Sequence, residues 1–451
     1  MKEYFDFKYS RQSLGVFIVF MGNPLIFFFK EVLGFGGSSV FTIFSLVMGL
    51  VLMIAPEDIF RKFWKPNIPI TRLAFYFLFL AFVYYLFFNP YFGFFSENIY
   101  VFYRDLGNFI FIFVFLFLLV SVSNEIKDYF LPIVVIFTFF GSICLIYSMA
   151  TNPYFVIGQR ATVVFGDGTT TSSGNPHVYA RNAFAGIYSS YFLLKQRSFF
   201  WKILSSLNLI LSGVVLILAQ ARSILLAFLF SLMLFVYFNT SKKTIQKAVS
   251  VLIKPRNLLM IAFVIWLIIY FISSQPHLVN IINLYYETFL TTFTKAMLTA
   301  FGMVDEENVD LSAMGRINNL EVVKKTFIDN PWLFLFGGGF KYFYIDIPVL
   351  ETLTDLGVLG FLAFSLMNLM IFIEALKAMK SQNNTFTMFL GYFYLTYFVG
   401  IFTGGEPFGT AYWFIFAVMM RFLGIKYFVK TPVAVKNPYT EPSPQTPLAA
   451  S

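Results

Sequence analysis

The chain is built from continuous apolar runs of about the length that crosses a lipid hydrocarbon layer as a helix, roughly 20 residues, and this limits its fold more than any motif. Inside a bilayer every backbone N–H and C=O must find a protein partner, so only helices and closed barrels can span it. A barrel would show alternating segments of about ten residues, whereas here the apolar runs are unbroken. They fall near 12–29, 37–55, 70–89, 106–123, 129–150, 178–195, 200–219, 222–238, 257–273, 349–374, 385–403 and 410–425. The expected fold is therefore an all-α polytopic membrane protein with about 12 transmembrane helices. A composition of 58% hydrophobic, 21% aromatic and only 12% charged residues excludes an ordinary soluble domain.

The spans divide the chain. Residues 1–273 carry nine of them, with an outer loop at 151–177. Residues 274–348 form a second and larger outer loop, and 349–425 hold the last three spans. The tail at 426–451, rich in Pro, Thr and Ser, reads as cytoplasmic and disordered. No small-residue cleavage site follows the first span, so it is expected to be a retained helix. Lys and Arg concentrate in alternate connections, from Lys2, Lys8 and Arg11 to Arg421, Lys426 and Lys430. These mark the cytoplasmic side and place both termini inside. The net charge of +9 is thus mostly a topology signal rather than a nucleic-acid surface. The single Cys144 allows no intramolecular disulfide and no cysteine metal cluster. His177 and His277 lack paired-ligand spacing, so no metal or other cofactor is expected. No internal repeat points to a transporter of two inverted halves.

Chemistry has most room in residues 312–360, the least hydrophobic long stretch. From Ser312 to Asn330 the apolar residues Ile317, Leu320, Val323 and Phe327 recur every three or four positions, the pattern of an amphipathic helix that Pro331 ends. Gly337, Gly338 and Gly339 follow, forming either a tight turn or a close approach to a ligand.

The few cations on the outer side are disproportionately arginines beside span ends, Arg104, Arg160, Arg181, Arg222 and Arg316, while the outer lysines Lys295, Lys324, Lys325 and Lys341 all fall in one loop. A guanidinium fork suits phosphate oxygens, and the contact strengthens near low-dielectric surroundings. Kept against the positive-inside bias, these arginines point to an anionic ligand at the membrane surface. Alternatively each snorkels to headgroups or pairs with an acid such as Asp105. Candidate proton acceptors are His177, Asp346, Glu351, Asp355 and Glu406; Glu351 and Asp355 lie four apart, on one helical face.

These residues resemble the O-antigen ligase and polymerase superfamily. Gly158-Gln159-Arg160 followed by Gly174-Asn175-Pro176, Gln220-Ala221-Arg222-Ser223, Gly315-Arg316 with Asn330-Pro331 and Gly337-Gly338-Gly339, and Leu353-Thr354-Asp355-Leu356-Gly357-Val358-Leu359-Gly360 stand in that family's order. Family ligases carry His-Asn about eleven residues before the final Gly-x-x-Gly, which is Gly357–Gly360 here. Here that place is held by Asp346-Ile347, which favours the Wzy-type polymerase branch over the ligase branch.

The resemblance implies a GT-C-like fold with a large helical periplasmic loop in the bacterial inner membrane. It implies transfer of glycan from undecaprenyl pyrophosphate to a sugar hydroxyl on a second lipid-linked unit, without a metal and with inversion. Arg160, Arg222 and Arg316 would then hold the pyrophosphate, with Asp346 first and His177 second as proton acceptor. Arg181, Asn175, Gly338, Gly339, Tyr342, Glu351 and Asp355 would contact substrate. Membrane lipids, a chain-length regulator and a flippase are the partners implied, with no nucleic acid. A ligase acting on lipid A-core and a flippase of lipid-linked oligosaccharide are the alternatives.

Overall fold

The computed structural model describes residues 6–35, 40–59, 67–88, 99–164, 175–195, 198–239, 254–300 and 311–428. Among these residues all regular structure is helical. The helices run α1 Phe7–Met21, α2 Asn23–Glu31, α3 Val40–Met53, α4 Ile68–Phe87, α5 Ile99–Ser121, α6 Phe130–Thr151, α7 Pro176–Leu193, α8 Phe199–Ala219, α9 Arg222–Asn239 and α10 Pro255–Ser273. Then follow α11 Pro276–Ala300, α12 Leu311–Asp329, α13 Pro331–Phe336, α14 Pro348–Ser381, α15 Thr385–Thr403 and α16 Thr410–Phe422.

Seven of these are long and apolar enough to cross a membrane, namely α4, α5, α6, α8, α9, α14 and α15, and the bent pair α1–α2 makes an eighth if it is one span. Large side chains such as Phe79, Ile210 and Leu229 stand more than 60% exposed on these helices. Water would penalise that arrangement and lipid does not, so the fold is that of a polytopic membrane protein.

Each of the twelve sequence spans falls on a helix, but twelve crossings do not follow. Helices α3 and α16 are only 14 and 13 residues long. Helix α7 carries His177, Arg181 and Asn182 in its first two turns. Helix α10, several of whose side chains are not described, is not among the seven. The expected first span is broken by 70° between α1 and α2. Pro24 lacks the N–H that would continue the ladder, and the Tyr179 hydroxyl donates to its carbonyl at 2.9 Å, tying the break to α7.

The expected span at 349–374 is broken too. Gly357 has φ 67° and ψ −166° inside α14, a conformation essentially restricted to glycine. The break lets the Gly338 and Gly339 N–H groups donate to the carbonyls of Thr354 and Asp355 at 2.7 and 3.0 Å. A Cβ on Gly357 would collide with the Leu335 carbonyl oxygen, and one on Gly337 with the Asp355 carbonyl oxygen. The triple glycine is therefore a backbone clasp. Gly357→Ala is expected to destabilise the fold by about 1–3 kcal/mol and to lower the temperature at which the detergent-purified protein loses its monodisperse elution peak. Gly107→Ala, which meets nothing within 4 Å, is the control. Equal melting of the two variants would remove the clasp from the argument.

A polar cluster fixes α6, α7 and α8. Asn182 donates to the Thr138 carbonyl at 3.0 Å, and Asn208 donates to Thr138 Oγ1 and Ser190 Oγ, both at 3.0 Å. Gly186 lies so close to Ser212 that a Cβ would not fit. Small residues and buried amides hold membrane helices together where lipid offers no hydrophobic drive. At the other end of the bundle Arg421, counted by sequence among the topology cations, is 1% exposed. It donates to the carbonyls of Leu119 and Val122 and to Asn124 Oδ1, closing the C-terminal end of α5.

Candidate functional site

Helix α7 opens on Asn175, whose side chain accepts from the His177 N–H at 2.9 Å and caps the helix. This cap, with Pro176 in the first turn, starts a helix on which His177 and Arg181 are one turn apart and share a face. Imidazole Nδ1 lies 3.3 Å from Ser223 Oγ at the start of α9. The Arg181 guanidinium lies over the Tyr397 ring, 4.6 Å from its centroid. Among the described residues no carboxylate pairs with Arg181, and its Nε is buried without a hydrogen-bond partner.

The opposite wall comes from α12 and the segment before α14. Arg316 Nη2 donates to Asp346 Oδ2 at 3.2 Å. One turn along α12, Asn319 Nδ2 donates to the Ile345 carbonyl at 3.3 Å, so the helix grips this segment twice. Asp346 has φ 61°, a left-handed conformation that short polar residues tolerate best. Its other oxygen accepts from the Tyr344 hydroxyl at 3.0 Å and the Gly405 N–H at 3.1 Å. Gly404 passes so close that a Cβ would touch both Asp346 oxygens. Burial and then the Asp346 carboxylate push the Tyr344 phenol up, so it donates rather than ionises.

Between the two walls is a cavity of about 450 Å³. It brings together Asn175, His177, Arg181, Arg316 and Asp346, which are separated by up to 171 positions in sequence, with Ser223, Tyr344, Tyr397, Gly404, Gly405 and Glu406. Burial, then the guanidinium charges of Arg181 and Arg160, push His177 down from 6.5 to about 4; Asp346 opposes this and Arg316 adds to it. His177 is thus a neutral imidazole in a cationic cavity. Asp346 already holds three donors, leaving few lone pairs with which to accept a proton.

Other expected site residues lie elsewhere. Arg160 and Arg222 do not line the cavity. Their two motifs do meet, because Gln220 Nε2 donates to the Gly158 carbonyl at 3.0 Å and the Ala161 N–H to the Leu218 carbonyl at 2.9 Å. The Arg160 charge nonetheless reaches His177 and lowers it. Gly338 and Gly339 belong to the clasp. Tyr342 lines a separate cavity of about 180 Å³ with Val323 and Phe327. Glu351 and Asp355 are 2% and 0% exposed and face the backbone of the preceding segment: Phe343 N–H donates to Asp355 Oδ1 at 3.4 Å, and Ile345 N–H to Glu351. Their spacing puts them on one face as expected, but that face anchors the segment bearing Tyr344 and Asp346. The Thr-rich residues 165–174 lie outside the described residues.

Lys341 carries a second linkage, reaching Asp105 Oδ1 at 3.0 Å and Glu406 Oε2 at 3.8 Å. It ties α5 to the turn before α16. The sequence reading missed Ser223, Tyr397, Gly404 and Gly405 as cavity residues. Gly404-Gly405-Glu406 carried a visible signal, two glycines beside an acid between spans. No family model and no curated protein matches this chain.

Proposed function

We propose that the protein is a membrane glycosyltransferase of the Wzy polymerase type, which extends lipid-linked oligosaccharide repeat units on the periplasmic side of the bacterial inner membrane. The observation that carries this reading is the unneutralised Arg181 and a neutral histidine on one wall of a cavity that Arg316 lines from the other. Two guanidiniums suit a pyrophosphate, and the neutral imidazole suits a proton acceptor.

The acceptor hydroxyl oxygen attacks the anomeric carbon of the donor sugar, and the bond from that carbon to the pyrophosphate oxygen breaks. The electron pair leaves with the pyrophosphate, whose growing charge Arg181 and Arg316 stabilise. The hydroxyl proton passes to His177. Asp346, with its three donors, positions Arg316 instead of taking the proton, which reverses the order expected from sequence.

Deleting the gene in its host and complementing with wild type or Arg181→Ala at matched membrane levels tests this reading. Deletion is expected to leave single repeat units on the surface anchor, and Arg181→Ala to reproduce that pattern. Long chains retained on the lipid carrier would identify a ligase. Single units held on the cytoplasmic face would identify a flippase. A normal ladder with Arg181→Ala would take the arginine out of the chemistry.

A further inference from the structure

We infer that a second, apolar cavity behind Arg181 receives the hydrocarbon chain of an anionic amphiphile whose phosphate head sits on that arginine. The inference rests on the lipid-linked substrate proposed above and adds where its chain goes. The cavity measures about 290 Å³ and is bounded by Phe20, Phe27, Leu46, Phe393, Phe414 and Ile415. It shares Arg181, Tyr397, Thr410 and Ala411 with the polar cavity, so the two spaces lie on either side of one wall.

The break between α1 and α2 builds this space. Met21, Asn23 and Pro24 line it, and the 70° bend turns α2 away from the path a straight helix would follow. The bend is held by Tyr179, two residues before Arg181 on α7, so the wall and the cationic head site are fastened to the same helix. An arginine with an apolar stem and a charged end suits such a border. A free phosphate would use only the polar side. An isoprenoid or other single-chain phosphate would use both, with the part of the chain next to the head in the apolar space and the remainder among lipids.

The test uses the full chain in nanodiscs, with inorganic pyrophosphate, farnesyl pyrophosphate and farnesol as probes. Wild type is expected to bind farnesyl pyrophosphate about 10-fold or more tightly than pyrophosphate, since each buried methylene adds to affinity. Leu46→Trp, which fills the apolar space, should bring farnesyl pyrophosphate down to the affinity of pyrophosphate while leaving pyrophosphate binding unchanged; the latter also reports that the variant folds. A diazirine-bearing farnesyl pyrophosphate on wild type should cross-link to residues 19–27 and 42–46, and excess pyrophosphate should suppress the reaction.

If pyrophosphate binds through Arg181 but the chain adds no affinity, or cross-links fall elsewhere, this inference fails and the functional reading stands. If diazirine-bearing farnesol labels the same residues as strongly and pyrophosphate does not compete, the space is a general lipid crevice and the inference fails. If neither pyrophosphate compound binds, the functional reading fails, and the inference with it.

Discussion

Arg316→Ala is expected to lower polymerising activity on lipid-linked repeat units by about 10²–10³-fold, the range seen when one group that stabilises developing charge is removed. Arg316 gives one nitrogen to Asp346, while its Nε is buried without a partner. The guanidinium lines the cavity, where the oxygens of an entering anion would meet its charge. Arg316→Lys should recover little, because an ammonium cannot hold the carboxylate and a phosphate oxygen in the same fork. Asp346→Asn separates positioning from proton transfer. The amide oxygen can still accept from Tyr344 and Gly405 while the hold on Arg316 weakens, so a smaller loss is expected. The double variant should then be no worse than Arg316→Ala alone, since residues acting as one unit are not additive. Losses from Asp346→Asn that equal those of Arg316→Ala and add to them would make Asp346 the proton acceptor and displace His177 from that role.

The elements were more legible in the sequence than their joints. Apolar length put a helix under each of the twelve expected spans, because lipid demands continuous internal hydrogen bonding, and periodicity put one at α12. But α11 and α13 lie in the expected outer loop, and length says nothing about where a helix bends. The two breaks lie at Gly22-Asn23-Pro24 and at Gly357, short signals inside long apolar runs. The cavity arginines were legible because they break the expected alternation of basic and base-poor connections. Glu351 and Asp355 stood out as carboxylates four apart, on one helical face. What they meet is their own chain's N–H groups, a contact between segments that no local pattern encodes. Tyr397 left no signal at all, being one of many aromatics in α15 until Arg181 is seen above it. The glycines at 337–339 were ambiguous in sequence between turn and ligand approach; their partner, Gly357, decides it.

His177→Gln is expected to lower turnover by about 10²–10⁴-fold, the usual contribution of a positioned general base, with lipid-linked donor binding little changed. The pH profile is the sharper test, because burial and the guanidiniums hold the free histidine at about 4 rather than 6.5. The pH dependence of kcat/KM reports the free protein, so it should stay level as pH falls through 6.5 and decline only towards 4. Bound pyrophosphate brings negative charge onto Arg181 and Arg316 and removes much of the field that disfavours the imidazolium. The kcat profile should therefore turn down at a higher pH than kcat/KM, so that the donor itself strengthens the base it needs. Stability carries the same sign. Below 6.5 the unfolded chain takes up a proton on His177 that the folded chain refuses until about 4, so stability falls across that window, and His177→Gln should remove this part of the fall. A kcat/KM profile that bends at 6.5, or one unchanged by His177→Gln, would sink the assignment of the proton to this residue.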